Sequence, residues 1–179
     1  VFAWLQFTTL LAGAAAFLWQ ADQALLPQNL LWFGVLLTGQ WALGAAMQGR
    51  IAVWHSLGEA VRPLDLRSVA SNVFTAPEIA TVGVTQEQVD AGHISARTVM
   101  VELKWNPRAK MQAHYDGFIK LFCLPQTGII VGGVVVAPGA SELIYAVSLC
   151  VSARLTVDQA SLAFTVYPSL SGSISEAGR

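Results

Sequence analysis

At 179 residues, with 10 basic and 11 acidic side chains and a formal net charge of −1, the chain has room for one ordinary domain and an appendage. Two full catalytic domains do not fit. With no basic field to attract a phosphate backbone, nucleic acid is not expected as a partner.

Charge is unevenly placed. Residues 1–49 carry a single formal charge, Asp22, and every other charged residue lies between Arg50 and Arg179. The uncharged part reads as an apolar two-helix hairpin: one run from Phe2 to Trp19, a polar turn through Gln20, Asp22, Gln23 and Pro27-Gln28-Asn29, and a second run from Leu30 to Met47. Each run is long enough for about 27 Å of helix against a hydrocarbon core of about 30 Å, so residues 1–47 can reach across a membrane by a narrow margin. Trp4, Trp19 and Trp32 fall toward the run ends, and Ala12/Ala16 and Ala42/Ala46 have the spacing that lets helices approach closely. The competing readings are a soluble hairpin buried on all faces and a signal peptide. The latter fits poorly, because the start is not basic and a second apolar run follows at once. Arg50, Arg62 and Arg67 after the second run favour a cytoplasmic C-terminal side, hence a cytoplasmic protein attached to the inner membrane by the hairpin. The chain begins with Val1 rather than Met, which is compatible with a fragment and leaves the natural start open.

Residues 50–65 are expected to be a linking helix. The stretch from Ala45 to Val61 contains no breaker stronger than glycine until Arg62-Pro63. Short strands are expected at Val73–Thr75 and Ile79–Val84 on either side of Ala76-Pro77. Thr85-x-x-Gln88 then has the form of a capping box opening a brief helix that Gly92 ends. Val99, Val101, Leu103 and Trp105 alternate with Met100, Glu102 and Lys104, the pattern of a half-buried strand. Gly117–Leu124 and Gly128–Ala137 flank Pro125-Gln126-Thr127 as the arms of a hairpin. The second arm is apolar throughout and should be a central strand. Its Gly132-Gly133 pair predicts a bulge or a close backbone approach rather than a phosphate loop, because no helix follows directly. A helix is expected over residues 141–154 with Leu143, Val147 and Val151 on its inner stripe, then a second capping box at Thr156-x-x-Gln159.

Cys123 and Cys150 sit in apolar runs without metal or redox spacing and read as buried core thiols. His55, His93 and His114 form no ligand set, so no metal site is expected. Strands followed by helices packed on one side of an antiparallel sheet give an α+β layout.

The segments Phe74-Thr-Ala-Pro-Glu-Ile-Ala-Thr-Val-Gly83, Gly117-Phe-Ile-Lys120, Gly128-x-x-x-Gly132-Gly133, Ala140-Ser-Glu-Leu-Ile144 and Tyr167-Pro-Ser-Leu170 resemble, in order and spacing, the C-terminal dimerisation domain of pyridine nucleotide-disulfide oxidoreductases. The likeness covers about residues 66–176, giving a dimerisation domain at 66–179. The segment Ala45-Ala-Met-Gln-Gly-Arg-Ile-Ala52 is similar to the end of the FAD domain in the NAD(P)H quinone reductase branch of that lipoamide-dehydrogenase-like family. The resemblance implies a homodimer, or pairing with an FAD-domain-bearing subunit, in which the closing loop reaches the flavin edge of the neighbour. Disulfide-reducing members carry a histidine and a glutamate in that loop; here Tyr167 and Gly172 occupy those positions. A phenol ordinarily ionises near 10 and an imidazole near 6.5, so disulfide reductase chemistry is not expected and no catalytic residue is assigned. Tyr167 and Pro168 are instead the candidate cofactor contacts, at the partner's flavin, and the Tyr167–Pro168 bond is expected to be cis as in the family. The family's nucleotide-binding loops lie in domains this chain does not contain, so FAD belongs to the full-length family and none is expected bound to this chain alone.

Residues 1–44 do not share that resemblance. They are faintly similar to the terminal membrane helices of bacterial sterol desaturase and fatty acid hydroxylase relatives. The principal reading is therefore an interface domain of a flavoprotein oxidoreductase, not catalytic by itself. The alternatives are a membrane-anchored interaction module and a terminal part of a membrane lipid-modifying enzyme.

Overall fold

The computed structural model describes residues 44–179, in two units that meet in sequence at Leu64 and Asp65. The apolar hairpin expected over residues 1–49, its membrane role and its likeness to lipid-modifying enzymes fall almost wholly outside the described residues. Among the described residues no helix is long and apolar enough to cross a membrane.

In the first unit residues 44–56 are helical. The linking helix stops short of the expected Val61: Gly58 takes φ +80, and Leu57 N and Glu59 N donate back to Val53 O and Trp54 O. A residue in this left-handed conformation is a common helix stop, so glycine ends the helix before Pro63 can. The Arg50 guanidinium lies over the Trp54 ring at 4.9 Å.

The second unit is built on a five-stranded, wholly antiparallel sheet. Its strands are β1 (Ser71–Val73), β2 (Glu78–Gly83), β3 (Arg97–Glu102), β4 (Phe118–Cys123) and β5 (Ile130–Ala137), in the spatial order β1-β2-β5-β4-β3. Five helices accompany it: α1 (Gln86–Asp90), α2 (Pro107–Met111), α3 (Ala140–Ser152), α4 (Val157–Leu162) and α5 (Gly172–Ala177). The apolar strand β5 takes the centre, as its composition requires. Its register with β2 pairs Val82 with Gly133 and Ala80 with Val135, and its register with β4 pairs Gly133 with Leu121 and Val135 with Ile119. These residues share one face, and all of them except Gly133 belong to a single buried cluster with Ile144, Val147 and Cys150 of α3 and Ile174 and Ala177 of α5.

The glycine pair does what a close approach demands. A Cβ on Gly133 would lie 2.8 Å from the Val147 side chain and 2.9 Å from Lys120 O, while one on Gly132 would lie 2.4 Å from Val84 N. The β4–β5 register slips between Phe122 and Cys123, so the bulge is present too. Both capping boxes form: Gln88 N donates to Thr85 Oγ1 at 3.3 Å with Thr85 N to Gln88 Oε1 at 3.1 Å, and Gln159 N donates to Thr156 Oγ1 at 3.2 Å with Thr156 N to Gln159 Oε1 at 2.9 Å.

Two expectations need correction. The alternating pattern does not continue as strand to Trp105: β3 ends at Glu102, residues Leu103–Trp105 form a 3-10 turn, and Trp105 is exposed instead of sharing the inner face. Leu103 is fully buried and Lys104 and Lys110 lie over the outer Trp105 ring, so the turn keeps one apolar residue in and releases the other. On α3 the inner stripe is Ala140, Ile144, Val147 and Cys150, with Leu143 and Val151 only at its margin. Helix start at Ala140 rather than Ser141 does not alter phase; counted from Ala140 the stripe runs through i, i+4, i+7 and i+10, which adds Ile144 and Cys150 to Val147.

Candidate interface loop

The closing segment runs from the end of α4 to the start of α5. Its apolar side chains point outward: Leu162, Phe164, Val166 and Tyr167 are all exposed, Phe164 completely and Tyr167 at 81%. Four large apolar groups in six residues make an exposed apolar ridge of the kind that marks an interaction surface. The Tyr167–Pro168 peptide bond is cis, as the resemblance implied, and so is Ala76–Pro77.

Behind the ridge the chain is anchored. Gly172 N donates to Ser169 Oγ at 3.2 Å, and the Ser169 and Ser171 hydroxyls lie 2.9 Å apart. Ser173 and Ser175 are buried, and the Ser175 hydroxyl donates to Ser161 O at 3.0 Å, tying α5 to α4. The buried Asn106 amide, from the turn that follows β3, donates to Ser169 O at 2.9 Å and to Ser173 Oγ at 2.7 Å. Sequence reasoning did not single out Asn106. The signal was there: asparagine followed by proline is a helix cap followed by its favoured first residue, and α2 does start at Pro107.

Of the residues singled out in the sequence, Tyr167 and Pro168 stand together on this loop, with Gly172 at the first position of α5. A Cβ on Gly172 would meet Ser169 Oγ at 3.7 Å and Thr165 Oγ1 at 3.9 Å, ordinary contacts, so space does not forbid a side chain there. His55, His93 and His114 are each exposed, and among the described residues no group of three or more His, Cys, Asp or Glu could hold a metal. Cys123 and Cys150 are buried free thiols, and burial pushes the Cys150 thiol up.

Gly132 and Gly133 are packed against Val84 and Val147, which leaves their backbone closed to a phosphate. What the loop offers is an exposed phenol ring beside a proline, directed away from the core.

The sequence profile of the pyridine nucleotide-disulphide oxidoreductase dimerisation domain matches residues 69–178. The NAD(P)H dehydrogenase (quinone) of Mycobacterium tuberculosis is 57% identical over 135 residues, covering 75% of this chain and 27% of that protein. The mercuric reductase of Staphylococcus aureus is 35% identical over 133 residues, covering 74% and 24%. Among solved structures, LpdA from Mycobacterium tuberculosis superposes with a TM-score of 0.73 at 57% identity over 75% of this chain and 29% of that one. The HOCl-induced flavoprotein disulfide reductase RclA from Escherichia coli gives 0.64 at 26% identity, over 71% and 29%. The chain thus spans about a quarter of the length of the curated relatives it matches. The profile match across the sheet, its helices and the closing loop shows that this chain belongs to the pyridine nucleotide-disulphide oxidoreductase dimerisation-domain family.

Proposed function

We propose that this chain is the subunit-pairing module of an FAD-dependent, NAD(P)H quinone reductase-like flavoprotein, and that it forms a homodimer without catalysing a reaction by itself. The observation that carries the reading is the exposed ridge Leu162, Phe164, Val166 and Tyr167, held on buried serines in the loop that the resemblance assigns to pairing. An apolar ridge of this kind is stabilised when a second copy covers it.

In the assembled flavoprotein Tyr167 and Pro168 would face the partner's flavin, which would supply hydride and electron chemistry when bound. Tyr167 contributes a stacking face. Position 172 is glycine, so no carboxylate stands there to orient a proton carrier, and the arrangement suits a quinone-type acceptor rather than a disulfide. The identity to a mycobacterial NAD(P)H dehydrogenase (quinone) supports that choice of acceptor class.

Sedimentation equilibrium of the 179-residue chain tests the pairing, with the flavin question read from the visible spectrum of the same sample after incubation with FAD. The expected outcome is a species of twice the 19.1 kDa chain mass, colourless after dialysis. A strictly monomeric chain at tens of micromolar, or retained flavin absorbance, overturns the reading.

A further inference from the structure

We propose that Asn106 is a positioning residue for the interface loop: its carboxamide latches the Ser169–Ser173 segment to the turn after β3 and so sets where Tyr167 and Pro168 are presented. The consequence for pairing rests on the function proposed above; the latch itself does not.

The geometry uses every hydrogen-bonding position of the side chain. Oδ1 accepts from Arg108 N at 2.8 Å and from Ala109 N at 3.2 Å, while Nδ2 donates to Ser169 O at 2.9 Å and to Ser173 Oγ at 2.7 Å. The two backbone N–H groups need an acceptor, which fixes which end of the amide points where. The side chain is buried, only 3% exposed, so none of these positions has water as a ready substitute.

A helix cap alone explains only half of this. Capping α2 needs one acceptor oxygen, which serine, threonine or aspartate supply as well as asparagine does. The two N–H donors serve nothing in α2; both go to residues more than 60 positions away, on the loop and the first turn of α5. The amide is therefore matched to joining two segments.

The loop needs such a joint. Its other hydrogen bonds up to Ser173 are local, Gly172 N to Ser169 Oγ, Ser173 N to Leu170 O and the Ser169–Ser171 hydroxyl pair, and the Ser175 hydroxyl bond to Ser161 O ties α5 only to α4. Its side chains from Leu162 to Tyr167 lie largely in solvent. Ser169 is two residues after Tyr167, so fixing its carbonyl fixes the backbone that carries the ring.

Asn106→Asp separates the two roles, because a carboxylate keeps both acceptors and loses both donors. Hydrogen exchange on the full chain is the readout. The amides of Gly172 and Ser173 are expected to exchange roughly tenfold faster than in the parent, the size set by losing one or two net hydrogen bonds, while those of Arg108 and Ala109 stay within about twofold. The dimer dissociation constant, measured by sedimentation on the same samples, is expected to rise about fivefold or more. Unchanged loop exchange, or loop and α2 loosening together, overturns the latch. Should Asn106→Asp fail to fold, Ser173→Ala removes one of the two acceptors and is expected to raise exchange at Gly172 roughly threefold; no change there overturns the proposal equally. A monomeric parent chain refutes the pairing function alone, and the exchange measurement then judges the latch by itself.

Discussion

The backbone N–H of Ser141, in the first turn of α3, donates to the carboxylate of Glu78 at 3.0 Å, joining the start of β2 to the longest helix of the sheet unit. Gly139 at the N-cap has no side chain to satisfy the first N–H groups of α3, so the carboxylate comes from a neighbouring strand. The Ser141 amide, then its hydroxyl, hold the Glu78 carboxyl below the usual glutamate range.

That depression sets a pH dependence. A carboxyl whose folded-state pKa is lowered contributes stability that is fully present above its unfolded value of about 4.3 and is lost as the pH falls through the lower, folded value. Asp65, lowered by its hydrogen bonds and contact with Arg67, acts with the same sign, so the wild-type acid limb contains both. Glu78→Gln isolates the first: urea unfolding should show a loss of about 1 kcal/mol at neutral pH and a shallower acid limb, because the amide still accepts but carries no charge toward the helix start. A wild-type-like acid limb in this variant would falsify the assignment.

Gly132 predicts a second, sharper effect. Its Cβ position lies 2.4 Å from Val84 N and 2.6 Å from Val84 O, both backbone atoms that cannot rotate away. Gly132→Ala must displace the crossing between β5 and the chain leaving β2, at an expected cost of about 3 kcal/mol or more. Gly92 is the control. It has φ +72 and nothing within 4 Å, so Gly92→Ala carries only a conformational penalty of about 1 kcal/mol. Equal midpoints for the two variants in denaturant would show that the close approach is not what fixes glycine at 132.

Much of this fold was legible because local chemistry and tertiary packing agree. Thr85 and Gln88, and Thr156 and Gln159, specify their caps within four residues, and the apolar run Ile129–Val136 can only be a strand with neighbours on both edges. Trp105 was misplaced because alternation continues in sequence after the backbone has turned; the competing signal, Asn106-Pro107, lies just beyond it and starts α2. The site divides the same way. Tyr167 and Pro168 stood out through the resemblance, whereas the Asn106 contact joins residues 63 and 67 positions apart, a pairing no local pattern encodes.

Tyr167 allows the interface role to be separated from the fold. At 81% exposure its ring contributes little to the isolated unit, so Tyr167→Ala should leave the unfolding free energy within about 0.5 kcal/mol of the parent. If the ring is covered on pairing, truncation should raise the dimer dissociation constant about tenfold or more, as an aromatic anchor does. Sedimentation and denaturant unfolding on one preparation decide it: a stability loss with unchanged association would place Tyr167 in the fold and not in the interface.

The thiols make the opposite case, chemistry suppressed by packing. Cys150 lies on the inner stripe of α3 at 8% exposure and Cys123 at the end of β4 at 2%. Burial raises the Cys150 pKa, so at neutral pH the thiolate that attacks an electrophile is scarcer than for a free cysteine. Cys123 is shielded sterically, its sulfur 3.7 Å from Arg97 O across the β3–β4 pair. Neither thiol should react with a disulfide reagent on the native chain at neutral pH, and both should be titrated once denaturant opens the sheet, with a midpoint that coincides with the loss of secondary structure. Rapid modification of Cys150 before unfolding would mean that α3 detaches from the sheet locally, which would contradict the cohesion that the Glu78 contact and the Ile144–Val147 stripe supply.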